Sequence, residues 1–120
     1  MNSAFVKLLV SDLARSQAFY EALGFERTQA EPPFVRLQWA GTVDVYLVSP
    51  PAARQLEGRR GVGVLVGIRL EGSPNGLDEL LLRAQAQGAE VEGPTVQPWY
   101  TRELIVTDPD GYRLNFIEPA

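Results

Sequence analysis

Two kinds of hydrophobic periodicity alternate along the chain. In residues 34–39, Val35, Leu37 and Trp39 share one face and Phe34, Arg36 and Gln38 the other, the period-two pattern of a half-buried strand. Residues 43–48 repeat it, with Val43, Val45 and Leu47 opposite Asp44, Tyr46 and Val48. Ala40-Gly41-Thr42 is a tight connection between them, so the pair is expected as a hairpin. Residues 5–10 form an apolar run too short for a helix and read as a strand. After Asp12, a candidate N-cap, Leu13, Ala14, Ala18, Phe19, Ala22 and Leu23 form an apolar stripe at helical spacing. Gly24 stands where a glycine would end that helix. Phe25 to Thr28 is either a short strand or the turn into one, and Glu31-Pro32-Pro33 is a breaker.

The second half follows the same order. Val62 to Leu70 reads as a strand with Val64, Val66, Ile68 and Leu70 on one face. A turn over 72–76 offers Asn75 as N-cap. Leu77, Leu80, Leu81 and Ala84 then form a helical stripe ended by Gly88. Ala89-Glu90-Val91 opens a further strand before a breaker at Gly93-Pro94. Residues 102–107 and 112–117 flank Asp108-Pro109-Asp110-Gly111 as a last hairpin, a strong turn signal. The order is β-α-β-β-β twice, and Leu23-Gly24-Phe25-Glu26 and Gln87-Gly88-Ala89-Glu90 hold the same place in each half. Such internal duplication governs the fold. The expectation is an α+β domain of two tandem βαβββ modules, forming open curved mixed sheets around a cleft. The modules span about 1–50 and 62–120 and are joined by a linker over 51–61, whose middle, Ala52 to Leu56, is a candidate helical turn. Each helix would cover one sheet face and leave the other free.

Composition narrows the chemistry. The 120 residues are 45% hydrophobic and 22% charged, with no Cys and no His. A domain of this size folds without disulfide or metal. The missing thiol and imidazole exclude thiol nucleophiles, Ser-His-Asp and Cys-His mechanisms, zinc ribbons and iron–sulfur clusters. A net charge of −4 argues against nucleic acid and anionic membranes as partners and suits cationic or neutral small molecules. No apolar run approaches the roughly 20 residues of a membrane span. Residues 1–5 show no secretory signal, so a cytoplasmic protein is expected.

The motifs Val10-Ser11-Asp12-Leu13, Ser16, Phe19-Tyr20 and Leu23-Gly24-Phe25 open the chain. Trp99, Arg102-Glu103, Asp108-Pro109-Asp110-Gly111, Leu114, Phe116 and Glu118-Pro119 close it. With the duplication, this ordered set resembles the vicinal oxygen chelate superfamily, also called the glyoxalase/bleomycin resistance/dioxygenase superfamily. The resemblance spans essentially the whole chain. It implies the fold just described, and in the enzymes of the family a divalent metal held by His and Glu on the free sheet faces. The corresponding positions here fall near Phe5, Leu65, Asn115 and Asp44, and only Asp44 keeps a carboxylate. The resemblance therefore implies no metal and no cofactor. It points to the branch similar to bleomycin-resistance proteins, dimers that sequester a drug in aromatic-lined clefts between subunits. Trp99 to Gly111 and Phe34 to Gln38 carry that narrower similarity.

Candidate ligand-binding residues are Phe34, Arg36, Asp44, Tyr46, Trp99, Tyr100, Glu103 and Asn115. Phe34 and Tyr46 lie opposite the core sets and either stack a flat ring or pack at an interface. Trp99 and Tyr100 either wall a pocket or anchor their loop; Trp39 has the parity of the core. Arg102 and Glu103 must point to opposite faces. Arg102 is expected to be structural, while Glu103 reaches a ligand cation or fixes the Trp99 loop. Asp44 pairs with a cationic ligand group or with Arg36. Left alone, its pKa would rise, making it the one credible general base, although no second acid–base group is evident. Lys7 has the parity of the free face and is expected to pair, with Asp44 as one choice. Asp108 and Asp110 are explained by their turn, and Glu90 and Glu92 by a solvated strand face.

The leading expectation is a metal-free protein sequestering an aromatic cationic or neutral compound, as a homodimer. The alternatives are a metal-independent lyase or isomerase with Asp44 as base, and a protein-interaction or regulatory module.

Overall fold

The structure, a computed structural model, describes residues 3–50, 58–71 and 76–120. The Ala52–Leu56 turn and the Asn75 cap expected from sequence lie outside the described residues. The chain divides into two compact units, Met1–Gly58 and Arg59–Ala120.

The first unit contains β1 (Val6–Leu9), α1 (Leu13–Leu23), β2 (Glu26–Glu31), β3 (Phe34–Trp39) and β4 (Val43–Val48). Its sheet has the order β1-β4-β3-β2, with β1 parallel to β4 and the other pairs antiparallel. Asp12 caps α1: its carboxylate accepts from the Arg15 N–H at 3.0 Å, a bond worth about 1 kcal/mol. Gly24, at φ 123°, ends the helix in a conformation other residues rarely adopt. Strand parity holds, with Val35, Leu37, Val45 and Leu47 buried beneath the helix. The helical stripe is rotated from the expected one. Ser16, Phe19, Tyr20 and Leu23 are buried, while Ala14 and Ala18 are exposed. The large rings decide the helix orientation because they hide far more apolar surface than alanine methyls. Phe19, Tyr20, Phe25 and Trp39 form an edge-to-face chain with centroid spacings of 5.6, 5.3 and 5.0 Å, so Trp39 packs toward the core as its parity requires. Residues 26–31 form a full strand rather than a short one or a turn, with a register shift between Arg27 and Gln29.

The second unit repeats the plan with β5 (Leu65–Arg69), α2 (Gly76–Ala86), β6 (Val91–Val96), β7 (Thr101–Thr107) and β8 (Arg113–Pro119), ordered β5-β8-β7-β6. Again the first strand pairs parallel and the rest antiparallel. Ile68, Leu77, Leu80, Leu104, Leu114 and Phe116 make its core; each fully buried apolar chain contributes about 1.5–3 kcal/mol. The fold is thus α+β, two βαβββ modules with open mixed sheets.

Two expectations about strand limits are corrected. The strand expected from Val62 begins only at Leu65, and Val62 and Val64 are exposed. Gly61 and Gly63 take positive φ and the Val64 N–H closes a turn onto the Gly61 carbonyl, so the alternating valines never enter the ladder. Gly93-Pro94 does not end its strand: β6 runs through it with a register shift between Glu92 and Thr95. A Cβ on Gly93 would stand 2.6 Å from the Glu103 carbonyl oxygen, so only glycine lets the two strands close there.

Candidate functional site

In each unit the sheet face turned away from the helix carries the polar and aromatic candidates. In the first unit, Lys7 is in register with Tyr46, Arg36 with Tyr46, Phe34 with Val48, and Gln38 with Asp44. Parity therefore brings Phe34, Arg36, Asp44 and Tyr46 to one face. Tyr46 lies between Phe5 and Phe34, with centroid distances of 5.0 and 5.9 Å, giving a run of three rings across neighbouring strands. Phe5 is exposed, while Phe34 and Tyr46 are half-buried.

Beside this run Asp44 is held through one of its carboxylate oxygens. Its Oδ1 accepts from Gln38 Nε2 at 2.8 Å and from Arg36 Nη2 and Nε at 3.0 and 3.2 Å. The Gln38 amide, and then the Arg36 hydrogen bond and charge, hold the Asp44 carboxyl below its ordinary value against the opposing cost of burial. The lone carboxylate required for a general base is not what the residues form. Of the two partners considered for Asp44 within the protein, Arg36 takes it and Lys7 does not. Lys7 instead places its ammonium 5.8 Å from the Phe5 ring centroid, a cation–π distance.

In the second unit, Glu103 is paired with Ile117 across β7 and β8, and Asn115 with Ile105. Glu103 and Asn115 are therefore diagonal neighbours on the face away from α2. Glu103 Oε1 accepts from Asn115 Nδ2 at 3.1 Å. Its Oε2 accepts from Thr101 Oγ1 at 2.6 Å and from the Trp99 indole N–H at 3.0 Å. Thr101, then Asn115 and Trp99, hold the Glu103 carboxyl below the usual glutamate value, against burial. Trp99 and Tyr100 are exposed, at 63% and 83%. Their loop is tight: the Tyr100 N–H bonds the Gln97 carbonyl and the Gln97 N–H bonds the Thr101 carbonyl. Tyr100 sits at φ 66°, where a turn of this kind normally places glycine. Glu103 thus fixes the Trp99 loop, one of the two roles its sequence position allowed.

Arg102 points the other way and is structural. It bonds Glu118 at 2.9 Å and Asp78 at 2.7 Å, and Glu118 also accepts from the Leu77 N–H at 3.3 Å. These contacts clasp the first turn of α2 to the last two strands. Asp108 closes its own turn by accepting from the N–H groups of Asp110 and Tyr112. Asp110 does more than turn the chain, because it forms a buried ion pair with Arg60 at 2.6 Å. Sequence reasoning missed Arg60; its partner lies 50 residues away, and Arg59-Arg60 reads as an ordinary basic pair in a linker. Glu90 and Glu92 are likewise not merely solvated. They pair with Arg59 at 2.6 Å and with Arg113, beside a groove of about 310 Å³ that also includes Thr107 in its lining.

Among the described residues no group of three or more His, Cys, Asp or Glu side chains comes together. At the four positions where the resemblance would put metal ligands, Phe5 packs on Tyr46 and Leu65 is apolar and exposed. Asp44 is taken by Arg36 and Gln38, and Asn115 donates to Glu103. This donor set does not fit a divalent cation, which binds through several oxygen or imidazole ligands free to face it.

Residues 3–116 match the profile of the Glyoxalase/Bleomycin resistance protein/Dioxygenase superfamily. The chain belongs to that superfamily. Solved structures similar to it share the fold of the superfamily member described here. A hypothetical protein from S. aureus is 25% identical, with 98% of this chain and 94% of that one covered and a TM-score of 0.80. An antibiotic-binding protein from a Streptomyces species is 23% identical, with 100% and 98% covered and a TM-score of 0.75. A bleomycin-binding protein solved in complex with bleomycin is 22% identical over the full length of both chains, with a TM-score of 0.71. A comparison with curated protein sequences finds no match.

Proposed function

We propose that this superfamily member is a metal-free small-molecule binding protein, similar in role to the bleomycin-binding and antibiotic-binding relatives, and that it sequesters an aromatic, cationic or neutral compound. The observation that carries the reading is the Gln97–Thr101 turn. It holds two large aromatics out of the core, and one of them, Tyr100, occupies a left-handed backbone position that costs energy for any residue with a Cβ. Strain kept at an exposed aromatic supports a contact role for the Tyr100 ring. Phe34 and Tyr46 supply stacking area on the other candidate surface, with Arg36 and Asp44 as polar contacts at its side. Homodimerisation and a cytoplasmic location belong to the same proposal.

Asp44 as the base of a lyase or isomerase is disfavoured by its environment. A carboxyl held below its ordinary value by Gln38 and Arg36 binds a proton less readily than a free one. Isothermal titration calorimetry of EDTA-treated protein against metal-free bleomycin tests the proposal. Saturable binding at micromolar ligand, weakened in Trp99→Ala and in Tyr46→Ala, is the expected result. Absence of heat at millimolar ligand would reject bleomycin, and an unaltered affinity in both variants would reject the site.

A further inference from the structure

An exposed tryptophan ordinarily samples several rotamers. Trp99 is tied at both ends. Its backbone lies in the turn closed by Tyr100 N–H to Gln97 O at 3.0 Å and Gln97 N–H to Thr101 O at 2.8 Å, and the Ala120 N–H bonds the Tyr100 carbonyl at 3.0 Å. Its indole N–H donates to Glu103 Oε2 at 3.0 Å. Glu103 is itself immobilised by Thr101 Oγ1 on the same oxygen and by Asn115 Nδ2 on the other. A carboxylate offers about four acceptor positions, and three are used. The side chain is therefore poorly placed to receive a ligand cation and well placed to orient an aromatic ring.

We infer that Glu103 is a positioning residue: it acts through Trp99, holding the indole in the one orientation that presents its ring to a flat ligand, and its negative charge is not what the ligand reads. The inference rests on the small-molecule reading of the preceding subsection and deepens it. Pre-ordering a ring before binding removes the rotamer entropy that ligand contact would otherwise cost.

The Asn115 environment supplies a sharp test. Asn115 Oδ1 is buried with no hydrogen-bond partner. In Glu103→Gln the new amide oxygen still accepts from Trp99 and Thr101. A half-turn of the Asn115 amide then offers its Oδ1 to the new N–H and turns its Nδ2 to the buried position that lacks a partner, a cost that the thermal melt reads. Glu103→Gln thus keeps the geometry and loses the charge, whereas Glu103→Ala loses both.

Both variants are made in a Trp39→Phe background, so that Trp99 is the sole tryptophan, with circular dichroism and thermal melting to confirm folding. Without ligand, Glu103→Ala should raise acrylamide quenching and lower the fluorescence anisotropy of Trp99, while Glu103→Gln should match the parent. An unchanged Trp99 signal in Glu103→Ala would overturn the inference. With metal-free bleomycin as the probe, Glu103→Ala should lose roughly tenfold in affinity, one hydrogen bond's worth, and Glu103→Gln little. Equal losses in the two variants would show that the charge is read and would also overturn it. If the parent binds no bleomycin, the ligand reading fails for that compound, and the ligand-free Trp99 signal still decides the role of Glu103.

Discussion

Tyr100 and Trp99 adjoin in the chain, and the backbone treats them differently. Trp99 occupies an ordinary turn position and is stabilised by Glu103, while Tyr100 sits at φ 66° with most of its surface exposed. Nothing in the core depends on the Tyr100 ring. Tyr100→Gly should therefore stabilise the protein by a net of about 0.5–1 kcal/mol, the cost of a left-handed non-glycine residue less the extra freedom of glycine when unfolded. The same change should weaken ligand binding. Thermal melting and calorimetry on one preparation check both halves, and a destabilised Tyr100→Gly would contradict the account. This residue was identifiable from sequence only as an aromatic in a loop. Its strain depends on the turn type, which the residues Gln97-Pro98-Trp99-Tyr100 do not specify by themselves.

Between elements, the clasp on α2 is the contact most exposed to test. Arg102→Ala removes the bonds to Glu118 and Asp78 and should cost about 1–2 kcal/mol, allowing for partial solvent exposure. Hydrogen exchange should quicken first in the initial turn of α2. Loss confined to the Trp99 loop would instead mean that Arg102 acts on the site. Much of this scale was readable in the chain. Alternation in 34–48 gave a hairpin with the right residues inside, and Asp12 and Gly24 bracketed α1. The differences share a cause: packing overrides local pattern at these positions. Tyr20 lies outside the apolar stripe read for α1, yet its ring is fully buried. Val62 and Val64 alternate like a strand, but glycines with positive φ on either side of Val62 keep them out of one. On the candidate surfaces, parity alone placed Phe34, Arg36, Asp44 and Tyr46 together. It could not say that Asp44 would be consumed by Arg36 and Gln38, since rotamers settle that.

For the whole molecule, pH dependence follows from the carboxylates. Asp44, Asp78 and Glu103 are all held below their ordinary values. Their folded-state pKa values lie under the unfolded ones, so their stabilisation is complete above the usual carboxylate range. It fades as pH falls through that range towards the folded values. Because the chain has no histidine, the melting temperature should be nearly flat from about pH 6 to 8 and decline only below about pH 5. A step near pH 6.5 would point to a group outside this account.

The central claim is that the exposed aromatics of this superfamily member take up a small molecule without a metal. Tryptophan-fluorescence titration of the EDTA-treated protein with metal-free bleomycin, with inner-filter controls and Trp99→Phe alongside, tests it most directly. The account predicts saturable quenching at micromolar ligand or below, reduced in Trp99→Phe. No change up to millimolar ligand would contradict bleomycin as the compound bound, and quenching undiminished in Trp99→Phe would contradict the placement of the site.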